Sequence, residues 1–207
     1  MLDLEERDGV AVIHLHGRGH NRLDTPLLRR LAAAMEFIGP AHPVVLTGYR
    51  RTFAIGAEIS APIAAVSPAG DTTRPARPQA IEELLTAQDD ALRAVAEHPA
   101  PVVAAVNGDA IDTGFALAAA ADIRLMERGL IGTVFAAQGT APLSGVGVEL
   151  VRDAFACCGA PMPSGALAFT ATEAEAAGFV ERPRRLTQLL DEAVDHARTG
   201  VPIPQRM

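Results

Sequence analysis

The chain predicts an α/β fold, and three observations carry that prediction. Pro101 introduces a short valine-rich run, Val102 to Val106, of the kind that forms a buried strand. Asn107-Gly108 then signals a turn, and from Thr113 the sequence turns rich in alanine and leucine, as in a buried helix. A second buried-strand run, Val44 to Gly48, lies between two stretches of helical spacing, 25–38 and 81–96. Short buried strands alternating with helices are the α/β pattern.

Taken in order, the first element is a strand: Val10 to His16 alternates after the Asp8-Gly9 turn. His14 and His16 lie two apart and share a face, which suggests a solvent-facing pair, since no third metal ligand accompanies them. Residues 17–24 read as a loop. Leu27, Leu28, Leu31, Met35 and Ile38 space a helix over 25–38, with Pro26 at an early position where its missing N–H costs nothing. The 61–80 stretch, with Pro62, Pro68, Gly70, Pro75 and Pro78, reads as a loop that could cover a site. In the helix over 81–96, Leu84, Leu85, Leu92 and Val95 form the buried side. At 101–123 the expectation is strand, tight turn and helix, with Asp112 as N-cap acceptor. A strand near 123–125 follows, then a loop at 139–145, a helix from about 146 to 156 with Ser144 as its cap, and a last helix near 186–197.

The 207 residues, 49% hydrophobic, suffice for one sizeable core. With 18 Lys+Arg against 25 Asp+Glu, the net charge of −7 argues against a nucleic-acid face. Arg50-Arg51 and Arg184-Arg185 are isolated basic pairs that could serve an anionic ligand or stand as solvated surface. The adjacent Cys157 and Cys158 fit a reduced chain, and no metal is expected. Neither a signal peptide nor a run of membrane-spanning length is visible, so the expectation is a soluble, cytoplasmic protein without membrane partners.

Four segments together carry a resemblance. They are Leu46-Thr47-Gly48 through Phe53-Ala54-Ile55-Gly56-Ala57-Glu58, then Pro101 to Asp122, then Gly139-Thr140-Ala141-Pro142-Leu143-Ser144-Gly145, then Thr170 to Val180. In this order they resemble the "LTG…FxAGxD", "PVIAAVNGxAxGGGxxLALxxD", "GxxPxxG" and "TAxEAxxxGLV" segments of the enoyl-CoA hydratase/isomerase family, the crotonase superfamily. The resemblance implies a crotonase-like spiral of repeated ββα units, here with a shortened C-terminal helical region. It places a core domain at 1–185 and a short C-terminal helix and tail at 186–207. It also implies a coenzyme A thioester as substrate or ligand, no other cofactor, and assembly into homotrimers or hexamers.

Residue by residue, the resemblance implies that the thioester carbonyl is held by the backbone N–H groups of Ile55 and Thr113. Ala54, Gly56, Ala57 and Gly114 flank it, and Arg18 and Arg22 face the coenzyme A phosphates. Losing one such backbone donor costs roughly 2.7–4 kcal/mol of transition-state stabilisation. This sequence departs from the pattern at several points. Family glycines at 112–113 are Asp112 and Thr113. The hydratase glutamate expected two residues after Gly114 is Ala116, the one expected four before Gly139 is Phe135, and the acidic position of dienoyl isomerases is Leu143. Ala and Phe carry no proton, so two-glutamate hydration is not expected.

Two acids remain as candidate proton carriers. Asp112 is either an N-cap or an acid/base beside the carbonyl, and Asp89 is either a solvated helix residue or a catalytic group on the helix over 81–96. Two functions compete. One is an acyl-CoA enzyme performing isomerisation, decarboxylation or thioester cleavage. The other is a non-catalytic thioester-binding or partner subunit, which the lost glutamates, altered glycines and shortened C-terminus favour. A structural protein without ligand ranks third.

Overall fold

In a computed structural model, residues 1–56, 79–133, 143–157, 167–183 and 189–200 are described. The expectations for Ala57, Glu58, Phe135, Cys158 and Arg184-Arg185, for most of the 61–80 loop and for 139–142 lie outside these residues.

The chain begins with β1 (Leu2–Arg7) and β2 (Val10–Leu15), an antiparallel pair joined by Asp8 and Gly9, both at positive φ. A short kinked turn of helix, α1 (Arg18–Asn21), leads to α2 (Thr25–Ile38). Asp24 caps α2 by accepting from the Leu27 N–H at 2.9 Å, with Pro26 in the first turn as expected. Next come β3 (Val44–Gly48), β4 (Thr52–Ile55) and α3 (Gln79–Ala96). They are followed by β5 (Val102–Val106), β6 (Asp109–Ile111) and α4 (Thr113–Ala120). β7 (Ile123–Met126), β8 (Leu130–Thr133) and α5 (Gly145–Cys157) form a third set, before β9 (Leu167–Thr170), α6 (Ala171–Ala176) and α7 (Leu189–Thr199).

From β3 to β8, successive strands go to alternate sheets. One sheet has the order β1-β2-β3-β5-β7, parallel from β2 onward; the other has the order β4-β6-β8-β9, parallel except at β9. Each turn of the chain therefore lays one strand in each sheet and then adds a helix: β3-β4-α3, β5-β6-α4, β7-β8-α5. This is the spiral of ββα units that the resemblance implies.

The strand, turn and helix expected over 101–123 needs one correction. Asp109–Ile111 is a strand between turn and helix. Three residues are too few for an alternation to register, and only pairing with β4 and β8 reveals it.

Alternation within the first sheet separates two cores. Ile13, Leu15, Val44, Leu46, Val102, Ala104 and Val106 point into the main core with α2, α3 and α4. Val10, Val12, Val45, Val103, Ala105 and Leu125 point the other way, onto Leu189, Ala193, Val194 and Ala197 of α7. The C-terminal helix thus packs directly on the back of the sheet.

α4 is buried along its whole length, which suits a helix apolar on every side. Phe115 of α4 meets Phe155 of α5 and Phe179 at ring-centroid distances of 5.9 and 5.5 Å, and Phe155 meets Phe179 edge-on at 4.9 Å. These contacts fix α4 against α5 and the segment after α6. Leu85 is only half-buried, while Ala87, Gln88 and Ala91 complete the inner face of α3.

Candidate functional site

The site is built where β4 ends and α4 begins. Parallel pairing sets Ala54 against Ala110 and Ile55 against Ile111, so the exit of β4 lies beside Asp112 and Thr113. Gly114 closes the junction. A Cβ at 114 would overlap the Ala54 carbonyl, so only glycine lets the first turn of α4 rest on the β4 backbone. Ile55 is half-buried at the strand end, Gly56 is buried after it, and Thr113 is fully buried at the first helical position.

The local backbone decides what this junction presents. Thr113 and Gly114 open α4, and first-turn N–H groups have no intrahelical acceptor. Asp112 occupies the N-cap position, but its carboxylate does not accept from the first turn, which corrects the capping expectation. The reason is its backbone: φ 53° and ψ −112° lie far from the extended conformation of working caps such as Asp24 at φ −82° and ψ 164°. The Asp112 N–H is held by the Gly132 carbonyl at 2.9 Å, and its own carbonyl receives the Ala116 N–H at 2.9 Å. The positive φ falls at Asp112, so the β-branched Thr113 is spared it.

Two asparagines hold the surroundings. Asn21, 4% exposed and at φ 57°, accepts from the Gly17 N–H and donates to the Phe53 carbonyl at 2.5 Å. The 17–24 loop is thereby tied to β4. The Leu23 N–H adds a bond to the Ile55 carbonyl at 3.0 Å. Asn107 takes the Gly48 N–H at 3.2 Å and donates to the Gly48 and Arg50 carbonyls at 3.1 and 3.0 Å, fixing the turn between β3 and β4. Neither role is legible in sequence, because apart from Gly17 the partners lie 31 to 59 positions away. The signal in sequence is that Asn107 falls inside the 101–122 motif segment; Asn21, in the 17–24 loop, has none.

Arg22 is half-buried on this loop and bridges to Ile55, whereas Arg18 is exposed at its outer edge. Loop 17–24 therefore brings Arg22 to the β4 exit and leaves Arg18 in solvent.

Asp89 is drawn elsewhere. Its Oδ1 accepts the Val146 N–H at 3.1 Å, while the neighbouring Gln88 Oε1 accepts the Ser144 N–H at 3.1 Å. Ser144 Oγ takes the Gly147 N–H at 3.1 Å, as expected of a cap. The start of α5 is thus satisfied by α3 and Ser144 together. Among the described residues, two buried polar side-chain atoms around these helix starts have no hydrogen-bond partner: Thr113 Oγ1 and Gln88 Nε2. Ala116 faces the core with no exposed surface.

The histidines lie outside this junction. His14 Nε2 is 3.2 Å from Glu5 Oε1 and His16 Nδ1 is 3.5 Å from Asp3 Oδ2, across the β1–β2 pair. The hydrogen bond with His14 holds the Glu5 carboxyl below its ordinary range. Among the described residues no group of three or more His, Cys, Asp or Glu could hold a metal ion, and no helix is long and apolar enough to cross a membrane.

Comparison with known proteins fits this architecture. The family model described as Enoyl-CoA hydratase/isomerase matches residues 5–202, nearly the whole chain. The chain belongs to the enoyl-CoA hydratase/isomerase family. Its curated relatives include the probable enoyl-CoA hydratase echA12 of Mycobacterium leprae (strain TN), 38% identical over 125 residues, which cover 58% of this chain and 40% of that protein. The probable enoyl-CoA hydratase echA6 of Mycobacterium bovis (strain ATCC BAA-935 / AF2122/97) is 31% identical over 129 residues, 61% of this chain and 46% of that protein. The alignments thus span less than half the length of these relatives. Among solved structures, a probable enoyl-CoA hydratase/isomerase from Mycobacterium abscessus superposes with a TM-score of 0.73 at 22% identity, covering 96% of this chain and 75% of that one. A monofunctional enoyl CoA isomerase from M. smegmatis superposes with a TM-score of 0.69 at 25% identity, covering 99% and 86%. The enoyl-CoA hydratase/isomerase fold is shared throughout.

Proposed function

We propose that this family member binds an acyl-CoA-type thioester, with the thioester carbonyl held between the backbone N–H groups of Ile55 and Thr113. The observation that carries the reading is the Gly114–Ala54 contact, which brings the exit of β4 against the open start of α4. First-turn N–H groups and the helix dipole favour negative charge at that point, whether resident on an oxygen or developing there. Arg22, next to Ile55, and Arg18 further out face the coenzyme A phosphates in this reading.

Hydration by the two-glutamate route is not part of this function. Ala116 stands at the first glutamate position and Phe135 at the second, and neither moves a proton. Any turnover rests on charge stabilisation at the carbonyl, as in isomerisation, decarboxylation or thioester cleavage, with Asp112 as the nearest acid. A charged Asp112 would oppose an enolate forming beside it, so a carboxyl rotated away from the carbonyl suits that role.

A non-catalytic thioester-binding subunit is the second reading, and one observation favours it. The Asp89 carboxylate is engaged at the start of α5, which occupies one of the two candidate proton carriers. Assembly into trimers or hexamers belongs to either reading and is checked by light scattering. The functional test is incubation with crotonyl-CoA, followed through its conjugated-thioester absorbance, together with mass spectrometry of ligands retained on purification. Retained acyl thioester supports the proposal and its absence contradicts it; loss of the absorbance with 3-hydroxybutyryl-CoA as the product contradicts the exclusion of hydration.

A further inference from the structure

The Thr113 hydroxyl is the feature that the backbone account leaves unused. It is fully buried and has no hydrogen-bond partner. A buried hydroxyl in that state is costly, and a well-folded chain rarely retains one without a use. Within a helix, threonine relieves this cost by bonding back to a carbonyl one turn earlier. Thr113 is the first residue of α4, so no earlier helical turn exists to receive it. Its Cα–Cβ bond tilts toward the helix N-terminus, as at every helical position, which carries the hydroxyl to the same end as the first-turn N–H groups. The helix is eight residues long, and its cap residue Asp112 places no side-chain acceptor on this turn.

We propose that Thr113 Oγ is a third, side-chain donor to the thioester carbonyl oxygen, acting beside its own backbone N–H. This rests on the thioester reading above and adds to it a residue-specific contact that a glycine at 113 cannot make. The buried hydroxyl, which has no partner within the protein, takes the ligand's carbonyl oxygen as its acceptor.

The test compares Thr113→Val, which keeps the shape and removes the hydroxyl, with Thr113→Ser, which keeps the hydroxyl. Each is titrated calorimetrically with an acyl-CoA and with the matching alkyl-CoA thioether, which has no carbonyl. The expected result is about tenfold weaker acyl-CoA binding for Thr113→Val, near wild-type binding for Thr113→Ser, and no change for the thioether in either. Without ligand, Thr113→Val should melt about 2–4 °C higher, since it removes an unsatisfied buried group. Wild-type binding of the thioester with equal affinity in Thr113→Val overturns the hydroxyl contact and leaves the thioester reading standing. A wild type that binds neither compound overturns both. If Thr113→Val does not fold, the hydroxyl has a structural task and the proposal fails.

Discussion

Gly114 rests on the carbonyl of Ala54 so closely that no side chain fits between them. This one contact joins the two segments that supply the proposed carbonyl donors, and it requires glycine for space, with no demand on φ. Gly114→Ala should therefore force β4 and α4 apart. Overpacking of a close backbone contact costs about 1–3 kcal/mol. Denaturant unfolding should show that loss, and acyl-CoA binding should fall with it.

Asp112 combines full burial with a backbone conformation suited to glycine. Asp112→Gly should relieve that backbone and stabilise the fold by about 1 kcal/mol, the lower end for a residue held in such a region. It should also tighten an enolate-mimicking thioester by removing a neighbouring acid. A lower melting temperature for Asp112→Gly would show that the carboxyl's own contacts outweigh the backbone relief.

Asp89 tests the division between support and chemistry. Asp89→Ala should cost about 0.5–2 kcal/mol, as for loss of a helix-start acceptor, because the Val146 N–H would lose its partner. Thioester affinity should stay near wild type. Loss of a measured turnover in Asp89→Asn, with stability intact, would instead assign it a proton.

Much of the architecture is legible in the sequence for a physical reason. Helix 25–38 shows because its apolar spacing, Pro26 and the Asp24 cap are all local. β3 and β5 show because burial on both faces leaves continuous apolar runs, Val44 to Leu46 and Val102 to Val106. β6 does not, since three residues have no period and its partners come from β4 and β8. The proposed donor positions rest on motif resemblance, and the Asp112 cap fails because capping preference presumes extended backbone, and φ is not written in residue type. The Asp89 bond to Val146 spans 57 positions and is invisible until α3 and α5 pack.

Two carboxyls give the fold an acid dependence. Glu173 is held below the ordinary value near 4.5 by the Thr170 backbone N–H of the α6 capping box, with the Thr170 hydroxyl assisting. Glu5 is lowered first by its hydrogen bond with His14, against a smaller opposing effect of burial. A depressed carboxyl contributes stability that is fully present above the unfolded value and lost as pH falls through the folded value. Melting temperature should thus decline below about pH 4.5, and Glu173→Gln, which keeps the reciprocal cap, should flatten part of that decline. An unchanged acid profile in that variant would remove Glu173 from the account.

In the proposed function, the β4–α4 junction recognises the thioester carbonyl itself. Calorimetric titration of the wild-type protein with an acyl-CoA, set against free coenzyme A, tests it most directly. The thioester should bind more tightly, with a favourable enthalpy that free coenzyme A does not give. Equal affinities for the two, or no binding of either at millimolar concentration, would contradict it.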